Sequence, residues 1–269
     1  MVERQCRYEP LGQQPLVLVL CQVRFSPIRR IGDYISDIQE EFRRAGFPLE
    51  DAGKVQQVTV TPMGLKAVEQ DRWAYRTKDE RWSVTILPDS LALQTTAYDR
   101  FERFAEYLEK ALTTVLKRTE HDRLGLVERV GLRYVDLIRP RDGEDHRYYL
   151  RPGFHGAADA VFAAGSHRVF VESVGRTSVG TDEGTMILRV AQNDQGFDLP
   201  PDLIAGAPKH ERRAQAGELI TLVDMDHFVE ARREPEVPRL IETTYALHDH
   251  LIETFHDHVV TREAIEAWR

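Results

Sequence analysis

The chain has 269 residues, enough for one large or two ordinary domains. With 42% apolar and 30% charged residues, wholesale disorder is excluded. A formal net charge of −8 and a pI near 5.7 give a surface that repels phosphate backbones on average, so nucleic acid is left only a local basic patch.

Cys6 and Cys21 are the only cysteines, too few for a disulfide framework in a chain of this length. Cys21 lies in an apolar stretch and reads as a buried thiol. The N-terminal MVERQCRYEP has no apolar core of the signal-peptide kind. The apolar run Leu16 to Cys21 is too short to span a bilayer. These features predict a cytoplasmic protein with no membrane association.

Residues 1–14 read as an extended arm. A strand follows from Leu16 to Phe25, apolar at its start and alternating later. Ser26 and Pro27 suit a helix start, and Ile31, Ile35, Ile38 and Phe42 make one apolar stripe over Ile28 to Ala45. Gly46 ends it. Four short strands are predicted at Val55 to Pro62, Trp73 to Thr77, Trp82 to Leu87 and Leu91 to Thr96. Asp99 and Glu102 have capping-box spacing before a second helix striped by Phe101, Phe104, Leu108, Leu112 and Val115.

The second half opens on a β-forming run, Leu126 to Pro140. A loop-rich insertion spans residues 141–165, with Tyr148, Tyr149 and Leu150 as its packed part. Strands are predicted at Arg168 to Val174 and Met186 to Ala191, with Gly175 to Gly180 as a hairpin turn. Residues 193–215 read as an exposed loop. Leu219 to Val223 and Phe228 to Ala231 form the last strand region. A long helix from Pro235 to about His258 and a short one capped by Thr261 close the chain.

The run Val130 to Asp136 looks like a second copy of Cys21 to Ser26, with Arg24-Phe25 matching Arg133-Tyr134. This divides the chain into an N-terminal lobe, residues 1–120, and a C-terminal lobe, residues 121–269, each β-α-β(3-4)-α. The expected class is α+β: two pseudo-symmetric lobes with antiparallel sheets, in a TATA-binding-protein-like or helix-grip-like order. A concave surface between the lobes would then be the natural ligand or partner site.

Several segments, taken in order, resemble a sporadically distributed bacterial family of uncharacterised proteins of about this length. They are Val23-Arg-Phe-Ser-Pro27, Trp73-Ala-Tyr-Arg-Thr77, Tyr98-Asp-Arg-Phe101, Gly131 to Ile138, Leu199-Pro-Pro-Asp-Leu203 and Val223-Asp-Met-Asp226. Leu247-His248, Phe255 and Val260-Thr261 complete the pattern. The resemblance implies a stand-alone bacterial cytoplasmic protein of a gene cassette, such as a defence or toxin–antitoxin module. It supplies no catalytic residues.

No GxSxG, P-loop, HExxH or helix-opening GxGxxG occurs in the chain. Four sets of side chains stand out. Arg24, Arg133, Tyr134 and Asp136 could bind a ligand or partner: alternation puts Arg133 on one strand face and Tyr134 with Asp136 on the other. Arginines there can clamp carboxylate or phosphate, or simply pair with acids across the repeat. Asp224, Asp226 and His227 could ligate a divalent metal, or serve turn chemistry at a strand end. His248 shares a helix face with Thr244, Leu251 and Phe255 and reads as a hydrogen-bonded, partly buried histidine. His121-Asp122 reads as a polar loop.

These observations favour a non-enzymatic binding protein with a protein partner and no cofactor. A small-molecule ligand and a homodimer stay open. The alternatives are a metal-dependent hydrolase or nuclease using Asp136, Asp224, Asp226 and His227, and a nucleic-acid-binding saddle using Arg129, Arg133, Arg139 and Arg141.

Overall fold

A computed structural model describes residues 8, 11–61, 64–141, 143–155, 172–193, 199–200, 203, 206–210 and 220–269. It is a mixed α+β protein built on one nine-stranded antiparallel sheet of order β2-β3-β4-β5-β1-β6-β9-β8-β7. The strands are β1 (Leu16–Phe25), β2 (Leu49–Thr61), β3 (Gly64–Arg76), β4 (Trp82–Leu87), β5 (Ser90–Thr95), β6 (Val127–Ile138), β7 (Glu172–Gly180), β8 (Thr185–Asn193) and β9 (Ile220–Arg233). The helices are α1 (Ile35–Arg44), α2 (Phe101–Arg118), the single turn α3 (His121–Leu124), α4 (Val237–Glu253) and α5 (Arg262–Trp268). A π-helical turn, Thr254–Val259, extends α4. Among the described residues no helix is long and apolar enough to cross a membrane.

The sheet is continuous across residue 120, because β1 pairs directly with β6, Val19 opposite Tyr134 and Val23 opposite Val130. Alternation then sorts the side chains. Val19, Cys21, Val23 and Phe25 of β1, with Val130, Leu132 and Tyr134 of β6, join the main core under the helices. The α2 stripe, Phe101, Phe104, Leu108, Leu112 and Val115, is fully buried against it. Each such side chain contributes about 1.5–3 kcal/mol of transfer free energy. Cys21 is free and buried, and burial pushes its thiol up to about 12, so it is an inert core group.

The opposite sheet face carries a second, smaller cluster of Val17, Leu18, Val135, Ala191 and Leu222, covered by Leu199 and Leu203. The described part of residues 193–215 is therefore packed, a correction to the exposed loop expected there. Ser83 donates to the Gly206 carbonyl at 2.8 Å and Thr96 to the Lys209 carbonyl at 2.7 Å, fixing this segment across β4 and β5.

Other expectations change at element ends. Residues 26–30 are a turn, and the first helix begins with a 3-10 turn at Ile31–Tyr34. Gly46 ends it at φ +97°, where a Cβ would be strained. The Asp99–Glu102 capping box does not form; α2 has no side-chain cap, and Asp99 accepts from the Arg100 backbone and the Arg103 guanidinium instead. Gly175 to Gly180 is strand, paired with β8, not a turn. The break expected between Val223 and Phe228 is absent, and β9 runs through it. The strand expected from Arg168 is described from Glu172; residues 168–171 lie outside the described residues. Thr261 does cap α5, accepting from the Ala264 N–H at 3.1 Å.

Candidate functional site

Two of the four ligand-site candidates come together and two do not. Tyr134 and Asp136 project from β6 to the helix side. Arg133 projects to the other side, and Arg24 stands exposed on β1 opposite Arg129.

Arg133 is clamped. Its Nε and Nη2 donate to the two carboxylate oxygens of Asp224, each at 2.7 Å, in a bidentate pair that is almost buried. Arg129 lies over the Phe228 ring at 4.3 Å and donates to Asp226 at 3.1 Å and to Gln22 at 3.4 Å. Gly131 makes this possible, since a Cβ there would sit 2.6 Å from the Arg129 guanidinium. The two aspartates of the metal candidate thus each hold an arginine.

His227 faces the other way. Its ring bonds Thr181 Oγ1 at 2.8 Å and the Leu247 carbonyl at 3.3 Å on the helix side. The sheet itself separates it from Asp224 and Asp226, because neighbouring residues of a strand point to opposite faces. Among the described residues no group of three or more His, Cys, Asp or Glu side chains is placed to hold a metal ion. His121 is buried against the Phe25 ring, with Nε2 3.3 Å from Ser26 Oγ, so it is part of the packing and not of a polar loop.

The helix side of β6 holds a cavity of about 240 Å³. It opens where β6, the start of α2, the end of α4, Tyr8 and the incoming chain at residues 11–16 meet. Leu11, Pro15, Leu16, Phe101, Ile252 and Phe255 give it apolar walls. Its polar groups are Tyr98, Tyr134, Asp136 and His248, with Asp99, Arg100, Glu102 and His256 also lining it.

Three of these groups, Tyr98, Tyr134 and His248, are linked, and Asp136 stands apart from them. The Tyr134 hydroxyl and His248 Nδ1 are hydrogen-bonded at 2.7 Å, and the Tyr98 hydroxyl lies 3.4 Å from that of Tyr134. Phe101 stacks on the His248 ring at 4.0 Å and 3° between planes, which fixes the ring. Asp136 is only 4% exposed, and no side chain or backbone group among the described residues hydrogen-bonds it or pairs with it.

Burial sets the charge state of all three central groups. It pushes His248 down to about 3, so the imidazole is neutral. It raises Tyr134 well above the usual phenol range. It raises the Asp136 carboxyl as well, and the charge of Asp224 across the sheet adds to that. Burial thus works against charge on these three groups, while the charged side chains that line the cavity, Asp99, Arg100 and Glu102, are exposed.

The hydrogen-bonded, buried state of His248 is the one expected from its helix face. Its partner, Tyr134, is 114 residues away, so the spacing within α4 carries no sign of it. Tyr98 and Phe101 were not expected at a site. The one sequence signal for them is the aromatic Tyr98-Asp-Arg-Phe101 step into an uncapped helix. Compared with models of known protein families, the chain matches none, and no curated protein matches it.

Two outcomes follow. Asp224→Ala strands the buried Arg133 guanidinium and should cost about 3–5 kcal/mol in equilibrium denaturation, whereas the paired change Arg133→Met with Asp224→Leu should recover most of that. A neutral Asp224→Ala would contradict the structural role. For His248, the proton is bound near pH 3 in the fold and near 6.5 when unfolded. Between those values the unfolded chain holds more protons, so stability falls as pH drops through that window, by up to about 1.4 kcal/mol per unit. His248→Gln, measured by urea denaturation across the window, should show a shallower loss than the wild type; an identical slope would contradict the assignment.

Proposed function

We propose that this is a non-enzymatic binding protein of the bacterial cytoplasm, and that its ligand is a small molecule taken into the helix-side cavity. The observation that carries this reading is Asp136. It is 4% exposed, no described group hydrogen-bonds its carboxyl, and it lines an open cavity. Apolar walls with a few convergent polar groups are the usual make-up of a small-molecule site.

The expected concavity between lobes is the weaker candidate, because Leu199 and Leu203 pack on that face of the sheet. The hydrolase reading needs Asp224, Asp226 and His227 together, and the sheet divides them. The nucleic-acid reading needs free arginines on the open face, where Arg129 and Arg133 are already neutralised by Asp226 and Asp224.

We also infer that the two halves are related by a pseudo-twofold axis through the sheet centre, in the TATA-binding-protein-like order. Support comes from the strand order: β1 and β6 are central, the last strand of each half, β5 or β9, lies beside them, and β4 and β8 follow. The offset that relates Arg24 to Arg133 also relates Gln22 to Gly131, which are register partners. The halves then differ chiefly in the segments around 141–165 and 193–215. The cavity draws its lining from both halves, residues 8, 11, 14–16 and 98–102 of the first and Tyr134, Asp136 and the end of α4 of the second.

The ligand reading is tested by native mass spectrometry of protein purified gently from its host. A small-molecule adduct should be present, and Ile252→Trp, which fills the cavity from its half-buried wall, should remove it while circular dichroism stays unchanged. A stoichiometric protein partner with no adduct, or an adduct indifferent to Ile252→Trp, would contradict the reading.

A further inference from the structure

The polar groups of the cavity specify which part of a ligand they meet. This inference rests on the cavity being a ligand site. The first turn of α2 lines it, from Phe101 to Glu102, and α2 has no side-chain cap. The first N–H groups of a helix have no intrahelical acceptor, and the positive end of an 18-residue helix dipole lies with them. Facing the same space is Asp136, buried and unpartnered. Burial and the charge of Asp224 raise its pKa, which favours the protonated, donating form. The helix N–H groups and the carboxyl O–H are therefore donors that lack acceptors.

We propose that the cavity binds an otherwise apolar organic molecule through one acceptor oxygen, a carbonyl or a carboxylate, received jointly by the Asp136 carboxylic acid and the open N-terminus of α2. The body of the molecule lies against Leu16, Ile252 and Phe255. Tyr134 does not contact the acceptor as its main role; held by His248, it is a positioning residue that keeps the β6 wall in place. At the inner wall the helix dipole opposes a cationic ligand, although Asp99 and Glu102, exposed where α2 begins, would attract one.

The test uses three probes that share one ring and differ in the polar group: acetophenone, benzoate and benzylamine. Binding to the full-length protein is followed by isothermal titration, with Asp136→Asn and Asp136→Leu as variants. Acetophenone or benzoate should bind and benzylamine should not. Asp136→Asn, whose amide still donates, should keep that binding within a few fold. Asp136→Leu should weaken it about tenfold or more, the equivalent of about 1.4 kcal/mol. Since Asp136 has no partner to lose, neither variant should lower the thermal midpoint, and this keeps a folding defect apart from a binding defect.

Benzylamine binding that vanishes in Asp136→Asn would overturn the proposal and make Asp136 an anionic partner. Acceptor binding indifferent to Asp136→Leu would overturn it too, as would no binding by any of the three probes. An adduct in native mass spectrometry alongside such a failure would leave the ligand site standing and remove only its acceptor chemistry.

Discussion

The antiparallel pairing of β1 with β6 is the constraint on which the rest depends. It joins strands more than 100 residues apart in sequence and makes one sheet of the two halves. Its helix face carries Val19, Cys21, Val23, Val130, Leu132 and Tyr134 into a single core, so neither half has a core of its own that stops at residue 120. Its other face turns from apolar, at Leu18 and Val135, to charged, at Arg129 and Arg133. Charges in that position are tolerated because β9 supplies an aspartate for each arginine.

The candidate site follows from the same strand. β6 packs against α4, which packs in turn against α2, and Phe101 at the start of α2 stacks on His248 of α4. Tyr134 meets His248 there, and Asp136, two residues further along β6, lines the same cavity. A histidine, two tyrosines and a carboxyl could form a charged cluster in water. Here burial disfavours the charged forms of His248, Tyr134 and Asp136, beside a helix N-terminus.

Much of the fold was legible in the sequence where apolar spacing was dense. β1 was read to its ends, β6 nearly so, and the stripes of α1 and α2 fixed which face each helix buries. Legibility failed where pairing, not composition, makes the element. β7 is glycine- and polar-rich and exposed nearly throughout, so only its ladder with β8 reveals it as a strand. Leu199 and Leu203 are isolated apolar residues among prolines, and nothing periodic announced that they seal the far face of the sheet. At the site, alternation did place Tyr134 and Asp136 on one side and Arg133 on the other. The same rule separates His227 from Asp224 and Asp226. The cavity itself was not legible, since four segments distant in sequence form it.

The central claim is that Asp136 is a neutral carboxylic acid lining the cavity at physiological pH. Infrared difference spectroscopy between the wild type and Asp136→Asn reads this directly. A neutral Asp136 gives a protonated carboxyl C=O band at neutral pH that is present in the wild type and missing in the variant. A difference spectrum showing only carboxylate bands would mean that Asp136 is ionised, and the site would then have to be rebuilt around a cationic ligand.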